Sequence, residues 1–338
     1  MKKSFSAYLK DYLMLIVLVA LIALFSILGP AMAGRNFFNF PNLLTMLNQN
    51  AYLVILGVGI TFIMLGGGMD LSTGFLISTV GMGMAIIENS SNALVAILCG
   101  ILLAVLLSGF NGVMYSWLKV FPFIITLGTQ YILNGATYLL TGGISKTVYV
   151  SSALKNIGGF NIRIGSGSLK SGVLVMIVAV LVGSFILNKT YLGRNIYALG
   201  SNPDAVALSG VSVSKMRILI FLLAGVFFGI GQIVNVGTTG GAVNQGLGIG
   251  AEFTVMAGAM LGGIKMGGGG GKMSNMVIGV LIIGVLDYGM SFLNINQYWK
   301  YVVLGIALLA AVTLDTLQTE SAAKRAKKVT GVPPVSAK

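Results

Sequence analysis

Long apolar runs, separated by short polar or basic stretches, occupy almost the whole chain. They fall near 13–33, 43–65, 72–87, 92–118, 122–141, 171–188, 218–236, 253–266, 274–290 and 300–317. Most have the 17–25 residues that a helix needs to cross about 30 Å of hydrocarbon. The pattern predicts an all-α polytopic membrane protein of about ten transmembrane helices, with 72–87 and 253–266 the shortest runs. The first run follows Lys2, Lys3 and Lys10 and closes on Ala31-Met32-Ala33, a cleavage-like ending. Its length suits a retained span better than a leader, and it is taken as one. Between the sixth and seventh runs the apolar pattern stops for 190–217, with Lys189 and Arg194 at one margin and Lys215 and Arg217 at the other.

Basic residues orient the scheme, because loops on the cytoplasmic side carry an excess of Lys and Arg. With the N-terminus inside, fifteen of the 21 basic residues lie inside and six outside, and four of those six (Lys146, Lys155, Arg163 and Lys170) share one loop, 142–170. An even number of spans puts both termini and the 190–217 stretch in the cytoplasm. The Gly- and Ser-rich 142–170 loop is expected to be irregular and exposed. Residues 1–320 are expected to form the membrane domain and 321–338 a basic cytoplasmic tail lying near anionic lipid. Spans 2–5 and 7–10 each contain four helices and a Gly-rich break, and they start on opposite sides, the arrangement of an inverted repeat.

Composition agrees with the pattern: 56% of residues are hydrophobic and 9% charged, and mean hydropathy is +0.94. The net charge of +13 is spread between apolar runs instead of forming a phosphate-binding face, so no nucleic-acid partner is expected. The single cysteine, Cys99, excludes an intrachain disulfide, and with no histidine neither a His-based metal site nor a His general base is available. No catalytic constellation and no metal site is expected. Gly267–Gly271 with Lys272 falls short of a phosphate-binding loop, since G-x-x-x-x-G-K-[ST] needs Gly at 266 and Ser or Thr at 273 and both are Met.

Four groups of residues remain as candidates. Gly66-Gly-Gly68 breaks the chain before Asp70 and Ser72, which can cap the next helix; a carboxylate at membrane depth is otherwise a functional candidate. Amides and hydroxyls within or beside the runs suit a neutral, hydroxylated solute. From these, Asn48, Asp70, Ser72, Thr126, Gln130, Asn134, Asn235 and Glu252 are the candidates for a translocation path. Gly225/Gly229, Gly246/Gly250 and Gly258/Gly262 have the small-residue spacing that lets helices approach closely. Lastly, Asn202-Pro203-Asp204 is a helix start, with an Asn cap, proline at the first position and an acid in the first turn. Gly210 is placed to end that helix.

The 190–213 stretch resembles the cytoplasmic coupling loop of sugar-type ABC-transporter permeases, through Gly193-Arg194, Ala198-Leu-Gly200, Asn202, Asp204-Ala205 and Ser209-Gly210. Four further motifs follow the family in order: Gly68-Met-Asp-Leu-Ser-Thr-Gly74, Pro122-Phe-Ile-Ile-Thr-Leu-Gly128, Glu252–Gly263, and Tyr298-Trp299 with Asp315. Among its members the chain is most similar to galactose/methyl-galactoside permeases, through Lys2-Lys-Ser-Phe5, Asn188-Lys-Thr190 and Leu286-Asp-Tyr-Gly289. The chain departs from the pattern at Val206 (usually Ala), Thr254 (usually Asp) and Lys300 (usually Gln).

The resemblance implies a type II ABC importer permease in the bacterial cytoplasmic membrane, carrying a monosaccharide. It implies a separate cytoplasmic ATP-binding subunit, an extracytoplasmic sugar-binding protein and a second permease copy. No cofactor would be bound by this chain, ATP being used by the partner. Coupling to the ATPase would fall to Asn202, Pro203, Asp204, Ala205, Val206, Ala207 and Gly210. A self-sufficient facilitator for small neutral solutes, or a permease for a furanone signal or a nucleoside, are the alternatives.

Overall fold

Two helices of 26 residues, α2 (Phe40–Leu65) and α10 (Val213–Thr238), cross at the centre of the computed structural model, which describes residues 5–148, 152–296, 298–310, 312, 313 and 316. The other helices are α1 (Phe5–Leu28), α3 (Thr73–Ser90), α4 (Ala93–Leu118), α5 (Pro122–Thr141), α6 (Ala153–Gly159), α7 (Ser171–Lys189), α8 (Tyr191–Ser201), α9 (Pro203–Leu208), α11 (Ala251–Leu261), α12 (Met273–Phe292) and α13 (Tyr298–Ala310). The predicted tail, 321–338, together with Gln297 and Asp315, lies outside the described residues.

The central helices start and stop for the same local reasons. Asn39 caps α2 by accepting from the Asn42 N–H at 2.8 Å, and Pro41 sits in the first turn. Ser212 caps α10 through Lys215 N–H. Both helices end in a turn whose glycine takes the left-handed conformation, Gly67 at φ +80° and Gly240 at φ +71°, which a side chain would strain. In each, 67% of the apolar window is buried, against 28% for α4 and 33% for α7, so α2 and α10 form the core and the others surround it.

The packing partners come in matched sets. α10 lies on α4 as α2 lies on α12; α3 packs on α4 as α11 packs on α12; and α3 touches α10 as α11 touches α2. α2 runs from the end where Asn48 meets β3 to the end where α8 docks, and α10 runs the other way, so the two are antiparallel. This is the pairing that an exchange of α2–α5 with α10–α13 requires.

Among the described residues every predicted run overlaps a helix, but the count of ten crossings is not what the helix lengths deliver. Six helices are long and apolar enough to span: Leu13–Ala33, Phe40–Leu65, Ala93–Leu118, Ser171–Lys189, Val213–Thr238 and Met273–Phe292. α3 and α5 have 18 and 20 residues, and their Thr, Asn, Gln and Gly dilute the hydropathy. α11, with 11 residues, is only about 16 Å long, roughly half the hydrocarbon thickness. The chain reaches its N-terminus through an irregular segment, 244–250, so α11 is a half-helix. The first span packs on α12 through an aromatic cluster of Phe25, Phe37, Tyr288 and Phe292.

The 142–170 stretch is more ordered than expected. It contains α6 and an antiparallel hairpin, β2 (Asn161–Ile164) and β3 (Gly167–Lys170), with Asn161 opposite Lys170 and Gly165 at φ +55° in the turn. A second short pair joins β1 (Lys146–Thr147) to β4 (Ala242–Val243). The alternation Asn161-Ile-Arg-Ile164 around a Gly-Ser-Gly turn is a strand signal that the glycine content hid. Glycine spacing is right twice out of three times. Gly225 and Gly229 face Val105 and Ile101 of α4, and Gly258 and Gly262 face Val280 and Asn275 of α12, whereas Gly246 and Gly250 lie in the segment before α11.

Candidate functional site

Between α7 and α10 the chain forms two short helices at an angle, not one. Thr190 caps α8 by accepting from Gly193 N–H at 3.2 Å. Ile196 and Leu199 are buried on the bundle side of α8, and the Tyr197 hydroxyl donates to the Gly271 carbonyl at 2.9 Å. Burial raises the pKa of that phenol. Asn202 then ends α8 in an extended conformation and caps α9, its Oδ1 accepting from the Ala205 N–H at 3.0 Å. Gly210, at φ +84°, closes α9 and sends its amide to the Ala207 carbonyl. In α9 only Val206 is buried, while Leu208 is 90% exposed. Replacing Asn202 by Ala should fray α9 at a cost of about 1 kcal/mol, seen as faster hydrogen exchange at the Ala205 amide with α8 unchanged.

α8 is seated on a junction made almost wholly of glycine. A Cβ on Gly200 would collide with the Leu65 carbonyl at the end of α2 and with the Gly269 amide. The Gly269 amide in turn donates to Leu65 O at 2.9 Å. Gly67, Gly268 and Gly269 all have positive φ. The run Gly267–Gly271 is therefore a backbone bearing that joins α8, the end of α2 and the α11–α12 connection.

Inside the bundle the N-termini of α3 and α11 meet. A Cβ on Gly74 would collide with Glu252 Oε2 and lie 2.5 Å from the Gly248 carbonyl, and Gly248 N–H donates to Ser78 Oγ at 2.8 Å. Two positive helix ends face each other here, and each has its own carboxylate, Glu252 in the first turn of α11 and Asp70 just ahead of α3. Both are 1% exposed. Asp70 Oδ1 accepts from the Ser72 N–H at 2.8 Å and from the Ser72 hydroxyl at 2.6 Å. Ser72 Oγ accepts from Asn111 Nδ2 at 2.8 Å, and Leu71 N–H donates to Thr126 Oγ1 at 3.1 Å. Asp70, Ser72 and Thr126 thus belong to one buried network, to which α4 adds Asn111. Asp70→Ala would strand the Ser72 N–H and hydroxyl donors, and should lower stability by about 2–4 kcal/mol; thermal unfolding of the purified protein in detergent measures this.

The remaining path candidates separate. Asn48 clamps the hairpin, donating to Ser168 O at 2.9 Å and accepting from Lys170 N–H at 2.8 Å. The Lys170 ammonium reaches Thr238 O at 2.8 Å, and burial, then Lys155, lowers its pKa. Gln130 and Asn134 share a face of α5, each with an unpaired side-chain oxygen. Asn235 donates to Gln232 Oε1 at 3.2 Å and borders a cleft between α2, α10, α11, α12 and α13, about 460 Å³ in volume. Asp287 and Lys300 form an ion pair of 2.9 Å on its wall. That cleft was legible only in part: Asn235 was among the path candidates, whereas Asp287 lies inside an apolar run and gives no local signal. Among the described residues no cluster of three or more potential metal ligands occurs.

Comparison with known proteins gives a consistent result. The family described as "Branched-chain amino acid transport system / permease component" matches residues 42–312. The chain is 31% identical to the galactose/methyl galactoside import permease protein MglC of Escherichia coli K12, over 94% of this chain and 97% of that one. It is 33% identical to the ribose import permease protein RbsC of the same organism, over 91% and 94%, and 32% identical to its D-allose transport system permease protein AlsC, over 93% and 94%. No solved structure matches significantly. Five motifs in order, six spanning helices and relatives matched over nearly their full length place this multi-pass membrane protein in the family of sugar-type ABC importer permeases.

Proposed function

We propose that the chain is the membrane-spanning subunit of an ATP-binding-cassette importer for a monosaccharide, working with a separate cytoplasmic ATPase, an extracytoplasmic sugar-binding protein and a second permease copy. The α8–α9 pair carries this reading. It is a capped element too short to cross a bilayer, lies between basic margins and presents a bare leucine. It rests on a backbone bearing that touches both halves of the fold. A facilitator that conducts without ATP has no need of such an element. The relatives' names, which all concern monosaccharides or their glycosides, support the solute class.

In this arrangement α9 and both termini face the cytoplasm, and the β2–β3 hairpin and the 239–250 segment face the binding protein. Ten passages follow if α3, α5, α13 and the half-helix α11 complete the count; α11 does so together with the irregular segment before it. Residues 1–320 form the permease domain and 321–338 its basic tail. Reconstitution tests the reading: proteoliposomes holding the permease should accumulate labelled sugar only with ATPase, binding protein and ATP together. Equal uptake by the permease alone would reject it.

A further inference from the structure

The junction where α3 meets α11 is rich in acceptors and short of donors. Three side-chain oxygens there, Asp70 Oδ2, Glu252 Oε2 and Asn111 Oδ1, are buried and accept no hydrogen bond among the described residues. Asp70 and Glu252 are each 1% exposed and Asn111 is wholly buried. One hydroxyl joins two of the three side chains: Ser72 Oγ donates to Asp70 Oδ1 at 2.6 Å and accepts from Asn111 Nδ2 at 2.8 Å. Two residues further on, Glu252 Oε2 fills the space where a Cβ on Gly74 would lie. Neither carboxylate takes part in an ion pair among the described residues. A buried acceptor without a partner is costly, and a charged one most of all.

Charge decides what can meet these oxygens. The facing ends of α3 and α11 contribute about +0.5 each, against one unit of negative charge on each carboxylate, which leaves about −1 at the junction. An anion would add to that excess, and a divalent metal ion would overshoot it. A monovalent cation cancels it, and carboxylate and amide oxygens are the ligands that hard cations take. One proton shared by the carboxylates would also cancel the charge, but would leave Asn111 Oδ1 unmet. We infer that Asp70, Asn111 and Glu252 hold a small monovalent cation, sodium, at the meeting point of α3 and α11. Asp70 and Asn111 belong to the α2–α5 set and Glu252 to the α10–α13 set, so the ion ties the two halves of the fold together at their centre. The site goes beyond the importer function proposed above and does not depend on it.

Thermal unfolding of the whole chain in nanodiscs, in NaCl and in choline chloride at equal ionic strength, tests this. An ion bound by the folded state alone raises the midpoint as its concentration rises, and saturating NaCl should raise it by at least about 3 °C. Radioactive sodium should bind once per chain. Glu252→Gln keeps the size of the side chain and removes its charge, and should abolish both the binding and the midpoint shift. Asn111→Leu should weaken binding at least tenfold. Asp287→Asn removes a carboxylate outside the junction and should leave the sodium response intact. If Glu252→Gln or Asn111→Leu fails to fold, sodium binding and the midpoint shift of the unaltered chain still decide. Equal midpoints in NaCl, LiCl, KCl and choline chloride, with no sodium bound, would overturn the site. So would a sodium response that survives in Glu252→Gln, which would place the ion elsewhere. A midpoint that follows pH alone, and loses that dependence in Glu252→Gln, would assign a proton to the junction and overturn the cation. None of these outcomes bears on ATP-driven sugar uptake, which is read separately in the reconstituted complex.

Discussion

Leu208→Asp is expected to abolish ATP-driven sugar uptake, by a hundredfold or more, in a protein that still folds and inserts. Leu208 is the last residue of α9 and is 90% exposed, so its side chain supports nothing within this chain. Substitutions at surface positions of this kind usually change stability by less than about 0.5 kcal/mol. An apolar side chain held bare on a capped helix is what the centre of a protein interface requires. Losing such an anchor and burying a carboxylate in its place costs several kcal/mol of association, and 2.7 kcal/mol is already about a hundredfold. Two measurements separate the possibilities. Thermal unfolding of the purified variant should match the unaltered protein, while co-purification of the ATPase and uptake should both be lost. Normal uptake by Leu208→Asp would remove α9 from the contact. Asn202→Ala should have a milder effect in the same direction, because it loosens the helix that presents the leucine without altering the contact surface.

The order of legibility along the chain follows the range of the forces involved. Membrane helices were legible because one local rule, an apolar run of sufficient length, decides them, and α9 was legible because Asn202, Pro203 and Gly210 act within a few residues. α8 was not foreseen as a separate helix. Its apolar positions Ile196 and Leu199 form a face only when set against the bundle, and Gly193 and Gly200 look like loop residues until their neighbours are seen. The half-helix α11 was counted as a span because its apolar pattern continues through Ile264 and Met266, where the chain has already turned at Gly263 (φ +81°). Asp70 was ambiguous in the sequence between a cap and an intramembrane acid. The fold buries it and joins it to Ser72, but no side-chain hydrogen bond caps α3. Asn111 and Asp287 were not foreseen at all: each becomes notable only through a partner from a distant helix or from across a turn, Ser72 for the first and Lys300 for the second.

Gly200→Val should uncouple the transporter through the backbone contacts that seat α8. The new Cβ would meet the Leu65 carbonyl and the Gly269 amide, with the Gly268 Cα at 2.9 Å. All three are backbone atoms, so no side chain can rotate away, and a close-packed interior passes such strain on instead of absorbing it. Overpacking of this sort costs about 1–3 kcal/mol. The local answer is for α8 to lift from the bearing, which would break the Gly269–Leu65 hydrogen bond of 2.9 Å and shift α9 relative to both α2 and the α11–α12 connection. A movement of α9 imposed from outside then no longer reaches the two central breaks in the fold. ATP hydrolysis by the assembled complex should persist while uptake falls at least tenfold, in contrast to Leu208→Asp, where assembly itself fails. Gly128→Ala on α5, where a Cβ meets nothing within 4 Å, is the control and should leave both activities unchanged. Gly200→Ala, which places the same Cβ with no further bulk, should already show most of the loss. If Gly200→Ala transports normally, the three backbone segments slide past one another freely, and the glycines serve close packing alone.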